Sequence, residues 1–229
     1  MTGLPRLNSL ARATLWDRAY FALKSALLEG RYAPGARIVL RDVAEELGIS
    51  LTPVRDAVNR LTAEKILDRG GVGNGGGATV PRLTTDQFRQ LMTVRSSLEP
   101  VATAAAARHA TASQLDAIEV CLIAMKRSVR EKHKEQYLAE HYRFHFGIYA
   151  ICKMPIVQEI IESVWLRCGP TLTLALPQYI PGLKRYEFHV AALTALRRGD
   201  AEQAAAAIRG DIDSASEDIC LLLDKASRN

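Results

Sequence analysis

The sequence on either side of Gly48 constrains the fold more than any other segment, because a short helical pattern lies on each side of this glycine. We expect helices over residues 41–47 and 53–65, with Thr52 capping the second helix and Pro53 at its first position. The apolar residues recur at helical spacing and predict one small core. The expected core residues are Val43, Ala44, Leu47, Ile49, Val54, Val58 and Leu61. The segment therefore predicts a helix-turn-helix.

Flanking segments complete a larger unit. Residues 12–29 carry a helical apolar stripe. Residues 70–77, GGVGNGGG, interrupt the helical pattern, and the short segments 67–70 and 78–81 are expected to pair as a hairpin around this tip. Three helices followed by a small β-hairpin wing is the order of a winged helix-turn-helix, which we assign to residues 1–82.

The outward side of the 53–65 helix offers groups that read DNA. The residues expected to face outward are Thr52, Arg55, Asp56 and Asn59. In the major groove an arginine can grip guanine and an asparagine can pair with adenine. The first 82 residues also hold 12 Lys and Arg against 8 Asp and Glu, an excess that suits a polyanionic partner. The alternative is a solvated face on which Arg55 pairs with Asp56 or Glu45.

Three runs of this unit, GRYAPG at residues 30–35, RDVAEELGIS at 41–50 and TPVRDA at 52–57, resemble the winged helix of GntR-family transcription regulators. The resemblance implies contacts to double-stranded operator DNA from the recognition helix, its neighbourhood and the wing. One difference is Leu51, because the family usually has an arginine directly after the turn serine. The residues predicted to contact DNA are Arg41, Ser50, Thr52, Pro53, Arg55, Asn59 and Gly75.

Residues 83–229 contain no convincing strand pattern and predict an all-α bundle of about six helices, so the whole chain is expected to be mainly α. Pro100 could kink the first of these helices, Pro155 suits a first helical turn, and Asp200 suits the cap of the last helix. The expected helices span residues 85–109, 113–133, 135–151, 155–168, 183–198 and 201–225.

No apolar run approaches the length of a membrane span, and charged residues interrupt the first 20 residues, so neither a transmembrane helix nor a signal peptide is expected. The four cysteines lie far apart without a CxxC pair, which argues against a disulfide framework or a zinc finger. We expect a cytoplasmic protein.

Residues 95–99, RSSLE, resemble the R-x-x-L-E opening of the FadR-type C-terminal domain of the same family. That domain has a D-x-x-F-H signature that binds a metal, and this chain reads HYRFH at residues 141–145. His189 fits a further family histidine, and Asp211 stands where the family has another. The resemblance implies a divalent metal ion, zinc, nickel or manganese, with the ligands His141, His145, His189 and Asp211. The alternative is two hydrogen-bonded core histidines and a solvated aspartate.

In this family an arginine at the position of Arg95 often faces the effector cavity, which implies a small carboxylate as effector. The residues predicted to bind it are Arg95, Glu99 and Tyr142. Two alternatives are an ion pair between Arg95 and Glu99, four residues apart, and a plain core role for Tyr142. Tyr149 and Tyr179 receive no assigned role.

The sequence thus predicts a regulator, not an enzyme: a repressor that binds an inverted-repeat operator as a homodimer and responds to a small organic acid. A metal-dependent hydrolase fused to a DNA-binding domain is one alternative, since three histidines and an acid could activate water. An architectural DNA-binding protein without an effector is the other.

Overall fold

The structure is a computed structural model that describes residues 14–70, 77–175 and 186–226. It is mainly helical, as the sequence predicts, and it has three short strands in its N-terminal part. The elements are α1 Leu15–Leu28, β1 Arg37–Ile38, α2 Leu40–Leu47, α3 Leu51–Ala63, β2 Asp68–Arg69, β3 Ala78–Thr79, α4 Thr85–Ala107, α5 Ala112–Glu131, α6 Lys134–Tyr149, α7 Pro155–Leu172, a 3₁₀ turn Thr173–Ala175, α8 Tyr186–Arg197 and α9 Ala201–Ala226. Gly75 in the predicted wing tip and Tyr179 lie outside the described residues.

The predicted hairpin is present, but the sheet has a third strand that the sequence analysis missed. β3 lies in the middle and pairs antiparallel with both β1 and β2. Arg37 of β1 and Asp68 of β2 are the two partners of Thr79. β1 has two residues, too few to show the alternating pattern by which strands are recognised, so only its pairing with β3 defines it.

α2 and α3 form the predicted helix-turn-helix around Gly48, which has a φ of 63°. The prediction that Thr52 caps α3 is wrong. Ser50 is the extended residue before the helix, and α3 begins at Leu51, which places Thr52 and Pro53 inside its first turn. A proline is tolerated there because the first backbone N–H groups of a helix have no intrahelical acceptor.

Local sequence signals set the ends of several C-terminal helices. Capping boxes at Thr84 and Thr111 start α4 and α5. Pro155 occupies the first turn of α7, and the Asp200 side chain accepts a backbone hydrogen bond of 3.0 Å at the start of α9, both as predicted. α4 continues through Pro100. These helices therefore begin largely where the predicted bundle requires.

The helices α4 to α9 pack around one core, with α4 against α7 and α9, and α5 against α6 and α8. On α6 the side chains of Leu138, His145 and Ile148 are buried and His141 is partly buried, and Cys152, just after the helix, is buried as well. The helical spacing thus places both histidines toward the bundle. None of the described helices combines the length and the apolar character needed to cross a bilayer.

The N-terminal unit contacts the bundle through α1. Lys24 of α1 forms an ion pair of 2.8 Å with Glu162 of α7, and the lysine side chain is 12% exposed. Gly30, just after α1, has a φ of 71°, and a Cβ at this position would overlap the side chain of Leu138 on α6. The end of α1 therefore lies directly against the helix that carries His141 and His145.

Candidate metal centre and nucleic-acid interface

α3 presents a polar face to solvent because its apolar residues follow the helical period. Val54, Ala57 and Val58 are buried, whereas Arg55 and Asn59 are exposed. Arg41, Ser50 and Thr52 are exposed as well, and Pro53 is partly buried. The helix-turn-helix thus leaves most of the side chains that are predicted to contact DNA accessible to a large partner.

In the described part of the N-terminal unit, two acidic side chains pair with cations other than Arg55. Arg31 pairs with Glu46 and Arg60 with Glu64, at 2.8 and 2.7 Å. The alternative pairing of Arg55 with Asp56 or Glu45 is not among the ion pairs of these residues. The guanidinium of Arg55 is therefore available to a phosphate or a base edge.

A groove of about 500 Å³ separates α3 from the sheet. Arg55 and Asn59 line it from α3, and Arg69 lines it from β2. Arg69 is exposed and was missed by the sequence analysis. A basic residue in a predicted hairpin arm was the available signal, but only the packing of the sheet beside α3 brings this side chain to the recognition helix.

The four predicted metal ligands come together inside the bundle. His141 and His145 project from α6, His189 from α8 and Asp211 from α9. One donor atom from each residue lies within 4.8 Å of all the others. His145, His189 and Asp211 are at most 3% exposed, so a solvated Asp211 is wrong. Residues separated by up to 70 positions thus form one compact cluster.

The spacing of the donor atoms fits a small divalent cation. Nε2 of His145 lies 3.3 Å from Nε2 of His189 and 3.4 Å from Oδ2 of Asp211. The His189 Nε2 to Asp211 Oδ1 distance is 3.8 Å. Donors bound to one metal at ~2.0–2.2 Å stand roughly 3.0–3.5 Å apart, so small side-chain adjustments would close the set around an ion.

The protonation states also favour metal binding. Burial, together with the neighbouring His145 and His189, holds the pKa of His141 well below its ordinary value. Burial opposes ionisation of Asp211, but the three imidazoles outweigh it and lower the pKa of this carboxyl. Both groups are therefore in the deprotonated forms that bind metal. Oδ1 of Asp211 is a buried oxygen without a hydrogen-bond partner in the described structure, as expected of a metal ligand.

Arg95 and Glu99 form the ion pair that their spacing allows. Nε of Arg95 lies 2.6 Å from Oε1 of Glu99, and their side chains are 2% and 0% exposed. The guanidinium also lies 4.1 Å from the ring centroid of Trp165. Burial alone would lower the pKa of Arg95, but the Glu99 carboxylate more than compensates and raises it. Arg95 therefore stays charged inside the bundle.

Glu99 accepts further hydrogen bonds that the sequence analysis did not foresee. Nε1 of Trp165 donates to Oε1 at 2.8 Å, and the Tyr149 hydroxyl donates to Oε2. The Tyr142 ring packs against Phe146 and against Trp165 of this network, but the acidic groups acting on its hydroxyl are Glu162 and Glu29 rather than Glu99. Burial, with these acids, raises the pKa of Tyr142 to about 12.

Comparison with known proteins gives consistent results for both parts of the chain. Residues 15–80 match the family model "Bacterial regulatory proteins, gntR family", and residues 90–214 match the FCD domain. The HTH-type transcriptional regulator McbR of Escherichia coli K12 is 31% identical over 169 residues, covering 74% of this chain and 75% of McbR.

Two solved structures show the same fold. The E. coli McbR/YncC structure has a TM-score of 0.81 at 28% identity and covers 94% of this chain and 100% of its own. A GntR protein from Rhodococcus sp. RHA1 has a TM-score of 0.71 at 17% identity and covers 89% of this chain and 96% of its own. The arrangement of a winged helix-turn-helix followed by a helical domain is thus shared along nearly the whole chain.

Proposed function

The chain belongs to the GntR family of bacterial regulatory proteins and carries an FCD domain, and on this premise we propose that it is a metal-containing repressor controlled by a small organic acid. The observation that carries the proposal is the buried cluster of three imidazoles and one carboxylate in a bundle joined to a DNA-binding unit. We divide the chain at residues 82–83, and the protein acts on chromosomal DNA in the cytoplasm.

The DNA contacts come from the groove between α3 and the sheet. Arg55 and Asn59 are placed to reach base edges, and Arg69 supplies a further cation across the groove. Arg41, Ser50, Thr52 and the wing around Gly75 add contacts to the backbone. A single short helix reads only a few base pairs, so a homodimer on an inverted repeat is the natural assembly.

His141, His145, His189 and Asp211 would hold the metal. A bound divalent ion supplies a positive centre with open positions for the oxygen atoms of an acid. Both Nε and Nη2 of Arg95 already face Glu99, at 2.6 and 3.3 Å, so this arginine contacts an effector only by giving up part of the pair. The site therefore attracts an acid chiefly through the metal, with Tyr142 farther out toward α1.

The contact between α1 and α6 offers a route from the metal to the DNA. Leu138 lies one turn before His141 and packs at Gly30, so a movement of α6 reaches α1 directly. α1 is tied to the end of α3 by the Tyr20 hydroxyl, which donates to Glu64 at 2.8 Å. A coupling free energy of ~1–3 kcal/mol would change operator affinity roughly 5–150-fold.

Metal binding is tested by thermal melting of the full chain with zinc, nickel and manganese after treatment with chelator. At a metal concentration 100-fold above the Kd we expect a stabilisation of ~2.7 kcal/mol and a rise in melting temperature of roughly 5–11 °C. His145→Ala/His189→Ala should abolish the rise. The matched control His109→Ala/His133→Ala removes two exposed histidines and should keep it. A parent protein whose melting temperature is unchanged by all three metals would contradict the proposed metal site.

DNA reading is tested with an operator selected from random sequence, titrated at fixed salt. Arg55→Ala should weaken binding by ~1–3 kcal/mol and relax the preference at one base pair. Arg69→Ala should weaken binding to all sequences and reduce the salt dependence. Arg108→Ala, an exposed arginine of the bundle, is the control. Equal affinity of the Arg55→Ala and parent proteins would show that the assigned face is wrong.

The effector is tested by calorimetry of the metal-loaded protein with mono- and dicarboxylates, followed by operator titration with any acid that binds. We expect the best acid to bind the parent, to fail with His145→Ala/His189→Ala, and to weaken operator affinity. If an acid binds tightly yet leaves operator affinity unchanged, the proposed sensing mechanism is wrong.

A further inference from the structure

A continuous chain of buried hydrogen bonds connects Glu99 to the metal-ligand cluster. The Tyr149 hydroxyl donates to Oε2 of Glu99, and the same hydroxyl lies 3.0 Å from Nδ1 of His145. Glu99, Tyr149 and His145 are all 0% exposed. The opposite ring nitrogen of His145, Nε2, faces His189 and Asp211. The chain of hydrogen bonds therefore ends at His145, whose Nε2 faces the predicted metal ion.

The chain has a defined proton direction. The phenol hydroxyl of Tyr149 has one proton, which it donates in the hydrogen bond to the Glu99 carboxylate. Its oxygen can therefore only accept a hydrogen bond from His145. Nδ1 of His145 must then carry the proton. In a neutral imidazole this leaves the lone pair on Nε2, which is the tautomer that can bind a metal in the cluster.

The carboxylate that starts the chain is held in place by two further donors. Arg95 of α4 contributes Nε and Nη2, and Trp165 of α7 contributes Nε1, so together with Tyr149 of α6 the donors to Glu99 come from three helices. The guanidinium lies over the Trp165 ring and completes a charged pair that water does not reach. An ionised carboxylate is acceptor-only, which is why the Tyr149 hydroxyl points toward Glu99 rather than toward His145.

We infer that Glu99 and Tyr149, supported by Arg95 and Trp165, are positioning residues that orient His145 and fix its metal-binding tautomer. The inference rests on the metal site of the proposed function. The role that it assigns to the buried Arg95–Glu99 pair is to help orient the metal ligand His145. Partners of this kind, one step beyond the metal ligands, typically change metal affinity about 10–100-fold when removed.

The test compares Tyr149→Phe with Tyr20→Phe in the full chain. Each substitution removes a phenol hydroxyl that donates to a carboxylate, but the part-buried Tyr20 hydroxyl bonds Glu64 in the N-terminal unit. Zinc affinity is measured by competition with a chelating dye. We expect Tyr149→Phe to bind zinc about 10–100-fold more weakly and Tyr20→Phe to bind it like the parent.

A second readout reports the tautomer directly. Long-range ¹H–¹⁵N spectra of metal-free protein labelled at histidine, at a pH where the ring is neutral, should show the His145 proton on Nδ1. Tyr149→Phe should lose this signature, whereas a merely structural role for Tyr149 would leave the tautomer unchanged. A parent spectrum with the His145 proton on Nε2 overturns the inference even when Tyr149→Phe does not fold.

The outcomes separate this inference from the proposed function. A proton on Nε2 of His145 in the parent, or unchanged zinc affinity in a folded Tyr149→Phe, overturns the positioning chain and leaves the metal site intact. A parent that binds no metal but shows the Tyr149-dependent Nδ1 proton overturns the metal site and supports the chain.

Discussion

Replacing Arg95 by methionine, which removes one acidic partnership, should destabilise the bundle far more than replacing a surface arginine that has two acidic partners. Arg95 and Glu99 are 2% and 0% exposed, so Arg95→Met leaves a carboxylate in the core with only the Tyr149 and Trp165 donors. Removing one partner of a buried pair costs about 3–5 kcal/mol, because the remaining charge is desolvated without compensation. For a chain of this size that corresponds to a fall in melting temperature of roughly 6–20 °C.

Arg197 provides the matched control. It pairs with Asp116 and Glu119 at 2.8 Å each, but its side chain is 36% exposed and those of its partners are 64% and 48% exposed. Water screens such pairs, so they contribute little to stability. Arg197→Met should therefore lower the melting temperature much less than Arg95→Met.

A double variant distinguishes the cost of the unpaired Glu99 carboxylate from the cost of lost packing. In Arg95→Met/Glu99→Gln the uncompensated carboxylate is gone, and a buried neutral amide costs less than a buried charge. The double variant should therefore be more stable than Arg95→Met alone. All proteins are melted metal-free by circular dichroism. The reasoning is refuted by an Arg95→Met protein that melts like Arg197→Met, or by a double variant less stable than the single one.

Two further predictions concern packing. Gly30→Ala should lower the melting temperature more than Gly48→Ala. Both glycines have positive φ, but only at Gly30 does the added Cβ overlap a neighbour, Leu138. Equal losses of melting temperature would show that α6 does not pack tightly against this turn. Phe144→Ala should cost about 3–5 kcal/mol, since this ring is 0% exposed, whereas Phe21→Ala, at 61% exposed, should change stability by no more than about 0.5 kcal/mol. Similar losses for the two phenylalanines in chemical denaturation would contradict the assignment of the core.

The sequence by itself determined the order of the helices and the hairpin, and the side of the recognition helix that is buried. Helical spacing, Gly48, Pro155 and Asp200 are local signals, because a helix period and a cap depend on residues within about one or two turns. His141 and His145 are four residues apart, a spacing that places both rings on one side of α6. Resemblance to the GntR family added His189 and Asp211, which no local pattern connects to them.

Only the tertiary structure decided which distant groups meet. Glu99 bonds Tyr149 and Trp165, which are 50 and 66 positions away, and neither contact follows from the spacing along its own helix. Arg69 reaches the recognition helix only because a central strand holds β2 in the sheet. Helix periodicity fixes direction toward the core, whereas the partner found there depends on how whole helices cross, and that is set by the packing of the entire bundle.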